Sequence, residues 1–460
     1  MKILLINPGP NKPIFSSSAV FLPLGLAYIA AVCQKASHQV KILDQTVKNY
    51  SDREFKNLIK KQRAQIIGFT ATTPAIKKVY HLTQLIKKIS PAKIIAGGPH
   101  VTALPEEALS EGIDLVVRGE GEETILDLLS NLERPDKVLG LSYKLKNKFF
   151  HNPDRPLIKN LDDLPRPARQ LFPSLSYYKG QPVLGNKLPL GTILTSRGCP
   201  FDCLFCYKAI FGRRYRFRSV SNILAEWEEL IKKYQAKEMA IVDDSFSANP
   251  FQVIHLCDEL IKRKLVIPWS CPIGIRVDTI TEELILRMKK AGCYRVALGI
   301  ESGSERMLKI IGKKINLNQV REAVKICQKV GIQTMGFFVL GNPGETEKSL
   351  EETINLAQNL NLDFAQFTVA TPFPGTRLYQ MVKNKLLISN WDEYGAYEGR
   401  VYFETRQMSA QILRAKQKEA YRRFYLRPRY FWQALRRVQT YYFFPRLFKG
   451  FIQFVLEAKK

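Results

Sequence analysis

The chain has 460 residues, more than one hydrophobic core usually supports, so two or three domains are expected. Its 45% hydrophobic and 11% aromatic content excludes a disordered polymer, and 24% charged residues is ordinary for a globular protein. Lys and Arg number 70 against 42 Asp and Glu, a net charge of +28 that favours acidic ligands, nucleic acid or anionic lipid without choosing among them.

The opening MKILLINPGP carries one Lys and a short apolar run ending in Pro, which reads as a first strand rather than a secretion signal. Five β-rich runs follow one another: KILLI near Ile3, VKIL at 40–43, IIGF at 66–69, KIIA at 93–96 and DLVV at 114–117. Each precedes an amphipathic helical pattern. Continuous apolar strands separated by helices form a parallel sheet covered on both faces, so residues 1–135 are expected to be a doubly wound, Rossmann-like α/β domain. Ligands of such sheets sit at the carboxyl ends of the strands, where NPGP (7–10), TATTP (70–74), GGPH (97–100) and RGEGEE (118–123) gather.

Residues 136–188 are rich in proline and read as a linker. Strand and helix alternation resumes over 189–385 with GTILT (191–195), MAIV (239–242), PIGIRV (272–277), RVALGI (295–300), TMGFFVL (334–340) and FAQFTV (364–369). Six such units predict a partial (β/α)6 barrel of the TIM type with its active site at the carboxyl ends of the strands. Residues 386–460 are basic, aromatic and expected to be helical; positions 411–460 hold thirteen Lys and Arg against two Glu. A helical cap over the barrel mouth, an interfacial membrane contact and a nucleic-acid contact are the readings of this segment; no recognisable nucleic-acid module accompanies the charge. No stretch reaches the roughly 18 apolar residues that a membrane span needs. Five cysteines, Cys33, Cys257, Cys271, Cys293 and Cys327, are scattered singly, which speaks against a disulfide framework and for a reducing cytoplasm.

The remaining three, Cys199, Cys203 and Cys206, stand in TSRGCPFDCLFCYKA directly after the first barrel strand. Thiolates at such short spacings let one loop wrap an iron-sulfur cluster, and three ligands leave one iron open. Zinc would want a fourth nearby ligand, whereas His151 and His255 are remote in sequence. With Phe205 as the aromatic before the last cysteine, the triad resembles the signature of the radical S-adenosylmethionine (SAM) superfamily. The resemblance implies a 4Fe-4S cluster whose open iron is chelated by S-adenosylmethionine, a small-molecule substrate, and an external one-electron reductant of flavodoxin or ferredoxin type. It also implies cofactor contacts at Asp243 and Asp244 in AIVDDSF, at Glu301 and Ser302 in GIESGS, and at Gly341 and Gly344 in LGNPGE. Helix capping is the other reading for the aspartates and Glu301. The family's more usual Gly-Gly-Glu is absent at the aspartate position.

The first domain, with TATTP, GGPHVTALPEE and VRGEGEE at its strand ends, resembles the cobalamin-binding domain of cobalamin-dependent radical SAM proteins. Gly97 and Gly98 would let a flat ring approach backbone, and Thr70, Thr72 and Thr73 would offer hydroxyls to its amide rim. No DxHxxG motif is present, so a histidine ligand to cobalt is not indicated, and His100 reads as a packing or capping residue. Together these features imply methyl transfer to an unactivated carbon or phosphorus centre. Radical oxidation, cyclisation or rearrangement in tetrapyrrole, hopanoid or other secondary metabolism is the rival, and an iron-sulfur electron carrier is the non-enzymatic one. Cytoplasmic residence, with peripheral membrane association through the last segment, completes the expectation.

Overall fold

The computed structural model describes residues 1–9, 21–178, 187–395 and 399–428. Seven strands form the first sheet: β1 (Lys2–Asn7), β2 (Gln39–Asp44), β3 (Ile66–Thr70), β4 (Lys93–Gly97), β5 (Leu115–Val117), β6 (Leu141–Leu145) and β7 (Lys148–His151). Their order is β2-β1-β3-β4-β5-β6-β7, parallel through β5 and antiparallel in the last two pairs. The five expected strands are all present. The switch in strand order between β1 and β3 puts the loops after β1, β3, β4 and β5 along one crevice edge.

Two expectations need correction. The segment read as an irregular linker contains the β6–β7 hairpin, turned at Lys146 and Asn147, both with positive φ, which extends the first sheet. The helix Leu24–Lys35 is not amphipathic: Leu24, Leu26, Ala27, Tyr28, Ala30, Ala31, Val32 and Cys33 are all buried. A helix apolar all round must be covered all round. Ala27 and Tyr28 meet the second domain, through Ala168 N–H to the Ala27 carbonyl and the Arg197 guanidinium over the Tyr28 ring.

The second sheet is the expected six-stranded parallel one, in the order β15-β14-β13-β12-β11-β8. Its strands are β8 (Leu190–Ile193), β11 (Glu238–Ile241), β12 (Trp269–Ile275), β13 (Cys293–Glu301), β14 (Gln333–Leu340) and β15 (Phe364–Val369). A two-residue ribbon, β9 (Ser196–Arg197) with β10 (Arg216–Phe217), brackets the cysteine loop. Six strands leave the barrel open, and β15 is an edge. The helix Ala410–Tyr425 closes that edge with side chains. Gln417 Nε2 and Tyr425 Oη donate to the carbonyls of Phe367 and Ala365, and the hydroxyls of Tyr421 and Tyr425 accept from the N–H groups of Phe367 and Ala365. An exposed strand edge is an aggregation hazard that native proteins cover. The described part of the C-terminal segment therefore seals the flank of the barrel rather than its mouth, and only 410–425 of it is α-helical. From residues 386–395 and 399–408, Trp391, Tyr394, Tyr402 and Phe403 join an apolar core of the first domain. The basic aromatic stretch from 429 onward lies outside the described residues. No helix among those residues is long and apolar enough to cross a membrane.

Candidate functional site

The cysteine loop leaves β9 through Gly198, whose φ is +84° and whose missing side chain admits the carbonyls of Arg214 and Phe211. Any L side chain there would meet backbone on two sides, so glycine fixes the entry of the loop. The loop is then pinned from outside: Leu204 N–H donates to the Ile311 carbonyl (2.8 Å) and Leu378 N–H donates to the Leu204 carbonyl (3.1 Å). Cys206 N–H donates to the Cys203 carbonyl (3.1 Å), a turn that brings these two thiols to one side. Lys208 hydrogen-bonds the thiols of Cys206 and Cys199, and although burial opposes it, their charge holds its ammonium above the ordinary lysine range. One loop thus presents three thiols around one cation. Among the described residues no three His, Cys, Asp or Glu side chains converge on a single ion. Three thiolates on three different irons of a cubane are spread wider than the ligands of one ion, so this donor set suits a cluster.

The two aspartates part company. Asp243 is buried and accepts from Thr195 N–H (2.7 Å), Thr195 Oγ1 (2.5 Å) and Ser196 Oγ (2.6 Å), which braces the end of β8 against β11. Burial pushes its carboxyl up to about 6 against those hydrogen bonds. Asp244 keeps an exposed carboxylate that accepts Gly198 N–H and faces Lys208. Glu301 ends β13 with φ +69° and pairs with Lys313 Nζ at 2.7 Å. Ser302 instead turns to Thr353 Oγ1 (3.1 Å) and Ser304 N–H (3.2 Å), so it braces the turn behind Glu301. Phe205 packs on the second apolar core beside Leu204 and Leu378.

The glycines of LGNPGE are also explained from within. A side chain at Gly341 would collide with Leu413 of the edge-sealing helix, and one at Gly344 would stand 3.1 Å from Ile310. These close approaches are to protein and account for glycine at both positions. Glu345 beside them is buried, accepts from Ser349 Oγ (2.6 Å) and Gly341 N–H (3.3 Å), and burial pushes it up to about 7 from an ordinary 4.5. The folded chain therefore holds a proton that the unfolded chain releases between about pH 4.5 and about pH 7. Stability from this group is complete below 4.5 and is lost as pH rises through 7. Glu345→Gln is expected to remove about 3 kcal/mol of the fall in urea-unfolding free energy over that interval, and an unchanged pH slope would refute it.

In the first domain Gly98, at φ +114°, is required by the Ala71 backbone, which a Cβ would approach to 2.9 Å. The approach at Gly98 is thus also internal. Gly97 differs: a Cβ there would meet nothing nearer than 3.6 Å, so packing inside the protein does not demand a glycine. Thr70 is half-buried, Thr72 is exposed, and neither hydroxyl has a hydrogen bond recorded among the described residues. Thr73 is committed to His100 Nδ1 (3.1 Å), and His100 is enclosed by Glu107 (3.5 Å from Nε2) and the edge of Trp391. His100 is a packing residue. A flat group could lie on Gly97 and between Thr70 and Thr72, as the donor set of a corrin requires.

The loop after β5 faces the cysteine loop. A Cβ at Gly119 would stand 3.5 Å from the Ala209 carbonyl. Glu120 binds Arg197 Nη1 (2.9 Å) and Arg216 Nη1 (2.8 Å), and Glu122 binds Arg197 Nη2 (2.5 Å), all buried. Sequence reasoning placed RGEGEE among the loops at the strand ends; its acids lock those strand ends onto the ribbon that brackets the cysteines. Arg197 and Arg216 were not foreseen, since Glu120 and Glu122 lie some seventy to a hundred residues away in sequence, and neither were Lys208, Arg276 and Lys313.

A model of the radical SAM superfamily matches residues 193–357, and a model of the B12 binding domain matches residues 14–129. An uncharacterized methyltransferase of Pyrococcus horikoshii, PH0819, is 39% identical over 442 residues, which is 93% of each chain. The anaerobic magnesium-protoporphyrin IX monomethyl ester cyclase of Rubrivivax gelatinosus is 29% identical over 86% of this chain and 72% of its own. Among solved structures, the radical SAM methyltransferase TsrM of Kitasatospora setae, with cobalamin and a 4Fe-4S cluster bound, matches with a TM-score of 0.70. That match covers 83% of this chain and 78% of TsrM at 19% identity, a likeness of fold.

Proposed function

The chain belongs to the radical SAM superfamily, in the group that carries a B12 binding domain, and on that premise we propose that it transfers a methyl group to an unactivated carbon or phosphorus centre of a small molecule. The observation that supports the reading is the meeting of the two sets of strand ends, where Glu120 and Glu122 after β5 pair with Arg197 and Arg216 of the ribbon that brackets the cysteine loop. When bound, the cluster and S-adenosylmethionine supply a 5'-deoxyadenosyl radical and cobalamin supplies a carried methyl group.

The chain's own part is positioning. Cys199, Cys203 and Cys206 hold the cluster, and Asp244 is the acceptor for the methionine ammonium, because Asp243 is already saturated by β8. Glu301 stands at the end of β13, held by Lys313. Thr70, Thr72 and Gly97 form the seat of the corrin. The interlocked loops keep water from the space between. An external one-electron carrier of flavodoxin or ferredoxin type completes the reaction.

Similarity to the cyclase supports a second reading, radical oxidation or ring closure. Anaerobic reconstitution followed by incubation with S-adenosylmethionine, a reductant and hydroxocobalamin, which once reduced can take the methyl group whose departure leaves S-adenosylhomocysteine, separates them. Methyl transfer gives S-adenosylhomocysteine together with 5'-deoxyadenosine, whereas oxidation or cyclisation gives 5'-deoxyadenosine alone. Neither product from protein with an intact cluster defeats both. Retained corrinoid is read from the visible spectrum of protein grown with the vitamin. Peripheral membrane contact through the last segment is tested by flotation with anionic liposomes, and absence of binding at low salt ends it.

A further inference from the structure

The cysteine loop has an outer surface that ligation of a cluster leaves unused. Asp202, which directly precedes Cys203, stands there with its side chain 36% exposed between two guanidinium groups, Arg213 Nη2 at 2.9 Å and Arg377 Nη2 at 3.7 Å. Arg377 also donates to the Asp202 carbonyl (2.6 Å), and Gly312 brings the end of the helix Glu305–Ile311 against that same carbonyl. Two short helices, Glu305–Ile311 and Arg377–Val382, therefore frame the loop from outside.

The frame is basic. Over 200–214, 305–314 and 377–385, exposed basic side chains outnumber exposed acids eight to one, against 70 to 42 for the whole chain. A net charge of +28 spreads cations everywhere, so the ratio, and not the presence of cations, sets this face apart. Its acids are already engaged, Asp202 by the two arginines and Glu305 by the Leu317 N–H (2.8 Å). Lys309 and Lys314 flank Gly312. Arg377 and Met381, four residues apart, share one helix face, and Lys385 follows in the short turn Lys383–Lys385. Ile310 and Met381 stay 39% and 58% exposed. Apolar side chains set among charges of one sign give a partner surface to bury as well as charge to pair with.

We propose that this face receives the external one-electron carrier, a small acidic flavin or iron-sulfur protein. The proposal rests on the cluster reading above and adds to it the place of electron entry. Opposite charge steers such a partner to the face and orients it there. One electron leaves the reduced cofactor of the carrier and enters the cluster, with no atom exchanged. Because Asp202 adjoins Cys203, the docked surface lies one peptide from a cluster ligand.

The variant Lys309→Glu/Lys314→Glu/Lys385→Glu tests the proposal on three exposed side chains outside the ligand set. In anaerobically reconstituted full-length protein at low salt, its cluster should be reduced by reduced flavodoxin about tenfold more slowly than that of wild type. Its apoprotein should bind flavodoxin about tenfold more weakly. Photoreduced 5-deazariboflavin, small and uncharged, should reduce both proteins alike. Raising the ionic strength should slow the wild type toward the variant. Lys60→Glu/Lys61→Glu/Lys88→Glu, the same change of charge on exposed positions of the first domain, should stay near wild type. An acidic ferredoxin serves as a second carrier under the same conditions. Wild-type reduction indifferent to salt with both carriers, a face variant reduced at the wild-type rate, or an equal loss in the control variant or with deazariboflavin overturns the proposal. So does a face variant that loses binding to anionic liposomes or single-stranded RNA while its reduction by the carriers is unmoved, since the face then serves another partner. Wild-type protein that loads no reducible cluster defeats the cluster reading, and binding of flavodoxin by the apoproteins still decides the docking face.

Discussion

Cys203→Ala leaves a folded protein without a cluster: iron and sulfide in reconstituted protein fall to background, and 5'-deoxyadenosine formation falls to that of reductant alone. The substitution deletes one sulfur atom. The contacts that shape the loop are backbone bonds, Leu204 N–H to Ile311, Cys206 N–H to the Cys203 carbonyl and Leu378 N–H to Leu204, and alanine preserves all of them. The urea midpoint of the apoprotein should therefore match wild type. With two thiolates the cluster loses its hold, because a third of its protein ligation is gone and no other cysteine is at hand. The five remaining ones include Cys33, Cys257, Cys271, Cys293 and Cys327, all buried in the apolar core. Corrinoid retained by the first domain should persist in this variant, which separates loss of one cofactor from general unfolding. Iron content unchanged from wild type would refute the ligand assignment.

How much of this was legible in the sequence follows from the range of the interactions. Eleven strands announce themselves as apolar runs because most are buried on both faces, and burial of that kind is written locally. The β6–β7 hairpin was missed because its turn, Lys146-Asn147, lacks the glycine that usually marks positive φ, and prolines crowd its flanks. The cysteine triad is legible because its spacing is itself the chemistry. Asp243 and Asp244 are not separable by eye: adjacent residues at a strand end point opposite ways, and only the bonds from Thr195 and Ser196 show which one is consumed. The packing of Gly341 against Leu413, seventy-odd residues on, is not legible either, because Leu413 belongs to a helix whose packing no local pattern reveals. Lys313 is invisible for the same reason; nothing near it in sequence says that Glu301 faces it.

Glu120→Ala is expected to destabilise the protein by about 3–5 kcal/mol, the cost of leaving a buried charge without its partner. In the wild type two carboxylates, Glu120 and Glu122, balance two guanidinium groups, Arg197 and Arg216, at an interface from which water is excluded. Glu120 bridges both arginines and also accepts the Ile158 N–H (2.9 Å), so its loss strips Arg216 of the one carboxylate that pairs with it among the described residues and leaves it carbonyl oxygens of Ile158 and Phe211. Arg197 retains Glu122 and its aromatic neighbours Tyr28 and Phe211. Buried pairs are screened little by salt, so the loss should persist at high ionic strength, unlike that of a surface pair. Because Arg216 Nη2 grips the Phe211 carbonyl within the cysteine loop, the variant should also lose its cluster faster on exposure to chelator although no ligand has changed. Glu120→Gln, which keeps the hydrogen-bonding shape and removes the charge, should fall between. Combining Glu120→Leu with Arg216→Met removes both charges and should recover most of the stability, since an apolar pair needs no compensation. A change of less than about 1 kcal/mol in Glu120→Ala would mean that this clamp does not hold the two sets of strand ends together, and the opposition of the two cofactor sites would need another cause.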